Sequence, residues 1–221
     1  MPAKTKSAHA GERLAKRIAG AGLCSRRDAE KWIEAGRVKV NGRKITTPAL
    51  NVTAKDTITV DGQNLPAKEE ALPRMFRFHK PKEVLTTHKD DKGRTTVFDM
   101  LPPNLPRLMS IGRLDYNTEG LLLLTDNGDL AQAMMRPQSG LERVYKVRVQ
   151  GQLSPEQIAE MEKGLKIERE RFRPAKVRED APEKAGTNRW YTIAITEGRN
   201  REIRRMMEHY GLTVSRLMRL Q

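Results

Sequence analysis

The sequence predicts an α+β protein in two parts: a small basic N-terminal domain and a larger domain built on a mainly antiparallel sheet. Three observations carry this expectation. Strand and helix patterns do not strictly alternate along the chain, so a run of βαβ units is not expected. A polar stretch with a proline at each end, Pro66 to Pro73 (PAKEEALP), has the composition of a linker. One continuous apolar run, Leu121 to Leu124, is closed by the turn signal Asp126-Asn127-Gly128, and such a run supplies a fully buried strand or a short core helix.

In the first domain, residues 12–65, Glu12 to Ala35 carries two short helices. Leu14 and Ile18 are spaced i, i+4, and Gly20 and Gly22 close the first helix. Ser25 is a good N-cap for the second, with Asp28 where a capping-box acid sits, and that helix ends at Gly36. Val38-Lys39-Val40 then leads into Asn41-Gly42, the strongest short hairpin signal. Thr57 to Val60 alternates and ends in Asp61-Gly62.

The second domain, residues 74–221, opens with the alternating strand Met75-Phe76-Arg77-Phe78, which runs into His79-Lys80-Pro81. Lys82 to Thr95 is a solvated polar loop that contains His88 and Lys89, and Val97 to Leu101 is a short apolar segment ended by Pro102-Pro103. After the leucine run, Leu130 to Met135 reads as a short helix stopped by Pro137. Val144 to Val149 is a strand with Tyr145, Val147 and Val149 on one face. Ser154-Pro155-Glu156-Gln157 is a capping box, and Ile158, Met161 and Leu165 give its helix a buried stripe. Glu179 to Asn188 is an exposed loop with Pro182 and Gly186, and Trp190 to Thr196 is another strand. The last helix has the stripe Ile203, Met206, Met207 and Tyr210, with Gly211 at its end.

The 221 residues carry a formal charge of +14, which points to a polyanionic partner, most commonly nucleic acid. Between Glu12 and Lys44 ten basic residues face four acids. Arg26 and Arg27 fall in the first turn of the second helix, where free backbone N–H groups already favour phosphate. The single cysteine, Cys24, excludes a disulfide framework or thiolate cluster within one chain. The four scattered histidines lack metal-ligand spacing, so no metal is expected. No G-x-G-x-x-G or Walker-type loop occurs. No apolar run approaches the ~20 residues of a membrane span, and MPAKTKSAHAG has no apolar signal core. The expectation is a cytoplasmic monomer with a basic tail and no membrane association.

Polar chemistry precedes the leucine run, in Gly112-Arg113-Leu114-Asp115-Tyr116-Asn117-Thr118-Glu119-Gly120. Asp115 lies on a loop that the run anchors, where single catalytic groups are commonly held. A turn or capping aspartate fits the same spacing, and the pattern leaves both readings open. The longer stretch GRLDYNTEGLLLLTDNGDLA resembles the signature of the pseudouridine synthases that modify ribosomal RNA, the RsuA/RluB type. That resemblance implies that Asp115 is the nucleophile and that the reaction needs no cofactor and no metal.

The same resemblance extends to other stretches. ERVYKVRV places the family's active-site tyrosine on Tyr145, and EGRNREIRRM places the cationic partner of the aspartate on Arg204. Arg113 corresponds to the arginine that helps hold the target base out of its stack, and Arg199, Arg201 and Arg205 read as phosphate contacts. SRRDAEKWIEAGRVKVNG resembles the S-four-type (α-L) RNA-binding domain, which presents Arg26 and Arg27 to structured RNA. The implied partner is ribosomal RNA or a ribosomal assembly intermediate. AGTNRWYTIAITEGRNREIRRMMEHYGLTVSRL is most similar to the RluB type, which acts on a large-subunit stem-loop, with the small-subunit RsuA type second. The chain ends at Leu220-Gln221 inside what reads as a strand, whereas the family continues with a further strand and a basic tail. The resemblance therefore implies either a shortened C-terminus or a sheet that closes differently here.

Overall fold

The computed structural model describes residues 11–66, 72–180 and 187–221. The expected basic tail before Gly11, most of the expected linker, and Pro182 and Gly186 of the expected loop lie outside the described residues. The chain divides after Pro73 into two compact units.

The first unit begins with β1 (Glu12–Arg13), α1 (Leu14–Gly20) and α2 (Arg26–Glu34). The helix expected from Glu12 starts two residues later, because Glu12 and Arg13 pair with β4 (Asn51–Val52). Ser25 caps α2: its Oγ accepts the Asp28 N–H at 3.1 Å and donates to the Asp28 carboxylate at 2.6 Å. β2 (Val38–Val40), β3 (Arg43–Ile45), β5 (Ile58–Val60) and β6 (Gln63–Asn64) form an antiparallel sheet in the order β3-β2-β5-β6. Its two hairpin turns each take left-handed backbone at both central residues, Asn41-Gly42 and Asp61-Gly62, as a two-residue loop between right-twisted strands requires. Leu14, Ile18, Ala29, Ile33 and Val38 are the dry centre. Arg26 and Arg27 point outward from the first turn of α2, with Lys39, Arg43 and Lys44 exposed on the hairpin.

The second unit contains β7 (Met75–Lys80), β8 (Met109–Ser110), β9 (Glu119–Thr125), α3 (Gly128–Met135), β10 (Arg143–Gln150) and α4 (Pro155–Lys163). It continues with β11 (Lys166–Ile167), β12 (Glu170–Arg171), β13 (Lys176–Glu179), β14 (Asn188–Ile195), α5 (Glu202–His209) and β15 (Thr213–Arg219). The main sheet has the order β13-β14-β10-β15-β9-β7, with β8 also on β9. Its pairs are antiparallel except β9 with β15, so the fold is α+β with a mainly antiparallel sheet.

Several local expectations change in this context. The leucine run is a strand, yet only Leu122 and Leu124 are fully buried, because a strand turns alternate residues to opposite faces. Asp126 to Gly128 is not a turn between strands. Asn127 caps α3, accepting the Asp129 and Leu130 N–H groups at 3.0 and 2.9 Å, so the helix begins at Gly128 and not at Leu130. Leu165 is buried beyond the end of α4. β11, β12 and β13 were not anticipated, since their short polar segments show no period long enough to recognise. His88 is exposed but not simply solvated: its ring stacks on Phe98, with centroids 3.6 Å apart.

Gly120 permits the central insertion of β15. Its φ is +105°, and a Cβ there would lie 2.2 Å from the Arg219 carbonyl oxygen. Gly120→Ala is therefore expected to destabilise the protein by ~3 kcal/mol or more. Gly211→Ala, with φ +72° and open space around it, is expected to cost only about 1 kcal/mol. Urea midpoints of the two variants check this ordering.

Candidate active site

A cleft of about 790 Å³ opens on the second unit beside the end of the leucine strand. Asp115, Tyr145, Arg143, Glu202 and Arg219 are among its lining residues. The loop carrying Asp115 is held from several sides. Leu114 is buried next to it, the Thr118 N–H donates to the Asp115 carbonyl at 2.9 Å, and the Glu83 N–H donates to the Tyr116 carbonyl at 2.8 Å. The Thr86 hydroxyl donates to the Leu114 carbonyl at 3.0 Å. Asp115 itself is half-buried.

Lys80 provides three further ties and was not singled out from the sequence. Its side chain is 0% exposed. The ammonium donates to the Thr118, Pro81 and Tyr116 carbonyls at 2.8, 3.0 and 3.3 Å. Burial pushes its pKa down to about 8, against the opposing pull of Asp115 and Glu119. A signal was present: the strand period puts Lys80 on the same face as Phe76 and Phe78.

Arg204 is half-buried and spends its guanidinium on the Val214 carbonyl at 3.3 Å and the Asn117 carbonyl at 3.0 Å. It thus braces the loop two residues past Asp115. Burial lowers its pKa, and the Asp115 charge opposes that shift. Tyr145 is 9% exposed on the inner face of β10. Burial raises its pKa, so the phenol keeps its proton, with Arg219 and Arg143 acting in the other direction.

The structure separates the arginines by their partners. Arg199 is held by Glu197 at 3.1 Å and Glu170 at 3.8 Å, Arg205 by Glu170 at 2.7 Å, and Arg201 by Glu208 at 3.3 Å. Arg199 and Arg205 also lie over the buried Phe172 ring, 5.3 and 5.0 Å from its centroid. Arg113 is exposed on the cleft wall, as are Arg136 and Arg173, which sequence reasoning did not select. Nothing in their local patterns distinguishes them, since only the folded cleft assembles them. Among the described residues, no group of three or more His, Cys, Asp or Glu side chains could hold a metal ion. No helix there is long and apolar enough to cross a membrane.

Comparison with known proteins adds context to this geometry. Residues 74–209 match the family model for RNA pseudouridylate synthase, and residues 12–58 match the S4 domain. An "uncharacterized RNA pseudouridine synthase" of Rickettsia bellii is 46% identical over 95% of this chain and 89% of that protein. The "ribosomal large subunit pseudouridine synthase B" of Pseudomonas aeruginosa is 43% identical over 96% of this chain, which spans 55% of that protein's length. A crystal structure of a pseudouridylate synthase aligns with a TM-score of 0.63 at 28% identity, over 96% of this chain and 88% of that one.

The buried ammonium makes a pH-dependent prediction. Between pH 8 and the ordinary lysine value of 10.5 the unfolded chain binds more protons at Lys80 than the folded one, so folding stability gains as pH rises there. Lys80→Met is expected to lack that gain. Chemical denaturation of both proteins at pH 8 and pH 10.5 reads it as a stability difference that widens in favour of the parent.

Proposed function

The chain belongs to the RNA pseudouridylate synthase family, and on that premise we propose that it converts a uridine of ribosomal RNA to pseudouridine with Asp115 as the nucleophile. The observation that carries this reading is a carboxylate on a braced loop, facing a cleft it shares with Tyr145 and a set of arginines. The reaction breaks the glycosidic bond, turns the base and joins its carbon five to the ribose. Atoms are conserved, so no external co-reactant is required. A shielded carboxylate can form the transient covalent bond.

Each remaining residue has a role in this scheme. Arg204 braces the Asp115 loop through the Asn117 carbonyl, and a loop displaced by about 1 Å can cost on the order of a hundredfold in rate. Tyr145, kept as a neutral phenol, packs against the base, and proton loss from carbon five occurs beside it. Extruding the base costs a few kcal/mol, which Arg113 offsets at the cleft wall. Arg26 and Arg27 add phosphate contacts from the S4 domain. Arg199, Arg201 and Arg205 contact phosphate by giving up their glutamates, so each adds less salt dependence than Arg113.

Sequence-selective RNA recognition favours loops with unstacked bases. The relatives named for the ribosomal large subunit are 41–43% identical. Both points favour a large-subunit hairpin as the target.

Tritium release from carbon five of labelled uridine in a ribosomal RNA fragment tests the chemistry. Asp115→Asn is expected to fold and bind RNA while release falls at least about a thousandfold. Arg204→Met is expected to lower release by about ten- to a hundredfold with RNA binding retained. Normal release from folded Asp115→Asn would end the nucleophile assignment. The double change Arg26→Gln, Arg27→Gln is expected to flatten the salt slope of binding by about 0.7–0.9 per lost contact. Pseudouridine mapping of both large ribosomal RNAs, with and without the gene, identifies the target, and loss from the small subunit would exclude the large-subunit hairpin.

A further inference from the structure

Glu202 opens α5 on the cleft wall yet is only 3% exposed. Its Oε2 accepts the Arg199 N–H at 2.8 Å. Its Oε1 is closed to solvent and has no hydrogen-bond donor among the described residues. An ionised carboxylate left half-bonded in the interior is costly. A second carboxylate, that of Glu197, is gathered on the same residue, since Arg199 donates its backbone N–H to Glu202 and its Nε to Glu197. Glu197 raises the Glu202 pKa through its charge and a side-chain hydrogen bond. Glu197 is already supplied with donors: the Arg173 N–H at 2.7 Å and Arg199 Nε at 3.1 Å. Two adjacent carboxylates resist ionising together, whereas one proton between them turns the repulsion into a hydrogen bond.

The other charged or titratable groups facing Glu202 are Arg199 from the same loop and Tyr145 from β10. In the protein without RNA the Arg199 side chain is held by Glu197 and Glu170, and the Tyr145 phenol is itself neutral. Neither supplies the missing bond.

We propose that Glu202 carries a proton and donates it to Glu197, and that this carboxyl pair positions the 197–201 loop, with its arginines, against the cleft. Glu202 is a positioning residue in this scheme. Its neutrality also keeps a second negative charge away from Asp115 and from the path of an RNA backbone. Burial raises the Glu202 pKa to about 7, so the proton is lost just above neutrality and the pair then carries two charges. The effect on RNA turnover rests on the function proposed above, whereas the proton itself does not.

Glu202→Gln keeps the shape and supplies an N–H donor that cannot ionise, whereas Glu202→Ala removes the bridge. Single-turnover tritium release from the full chain is measured from pH 6 to pH 9 with a labelled large-subunit ribosomal RNA transcript. The ratio of Glu202→Gln to parent is expected to rise at least about tenfold across that range, as loss of a single proton dictates, with Glu202→Ala impaired throughout. A ratio that stays constant with pH, or Glu202→Gln as impaired as Glu202→Ala, overturns the proposal.

Thermal midpoints are measured on the same proteins. The folded chain holds the proton up to about pH 7 while the unfolded chain loses it near the ordinary value of 4.5, so parent stability falls between these limits as pH rises. The Glu202→Gln midpoint is therefore expected to climb relative to the parent between pH 5 and pH 8. A difference that does not move with pH overturns the proposal. Should the parent release no tritium at any pH, the proposed reaction fails, and the midpoints alone decide the carboxyl pair.

Discussion

The second unit depends on the central position of its last strand. β15 lies between β10 and β9, and this register sets Tyr145, Arg219 and Gly120 in one row across three strands. Gly120 admits the row, because any side chain there would meet the Arg219 backbone. The loop bearing Asp115 enters β9 beside this row, and α5 hands the chain to β15. Residues spread from Asp115 to Arg219 are therefore brought to one cleft by the backbone pairing of these strands.

Buried polar groups then refine the site. Lys80 spends its ammonium on three carbonyls around the Asp115 loop, and Arg204 reaches a fourth at Asn117. A cation donating to carbonyls has no carboxylate to neutralise it, so its desolvation is repaid only by the hydrogen bonds and the more distant charges of Asp115 and Glu119. The loop is consequently braced by cations without Asp115 itself being consumed in a close ion pair with them. Thr118, on the same wall, is buried with its hydroxyl unpartnered among the described residues.

Electrostatics divides the basic residues into two populations. Arg199, Arg201 and Arg205 are tied to glutamates or laid over Phe172, so much of their charge is spent in shaping the loop and the start of α5. Arg113, Arg136 and Arg173 stand exposed at the cleft, where charge is available to a polyanion. The +14 balance of the chain already subtracts its acids, so what the pairing decides is which basic residues are left to act at this site. The distribution of acids among the arginines matters as much as their number.

Local chemistry was legible in the sequence wherever neighbours in the chain settle the conformation. The Ser25 cap, the capping box at Ser154, the Asn41-Gly42 hairpin and the one-sided β10 strand each depend on contacts within a few residues. The stretch around Asp115 was legible as one continuous segment through its resemblance to a family signature, although the contacts that hold it come from distant residues. The short strand β13 and the placement of β15 depended on partners distant in the chain. Asn127 as a helix cap and the β11–β12 pair rest instead on near neighbours, whose short polar segments show no recognisable period. Glu202 was the least visible, because its neighbours give no sign that the fold will bury a charged residue, and Lys80 was marked only by its phase in the β7 strand. Sequence by itself determined the longer elements and the segment that carries the candidate nucleophile. Only the tertiary structure decided which charges face one another, because burial and pairing belong to the assembled cleft.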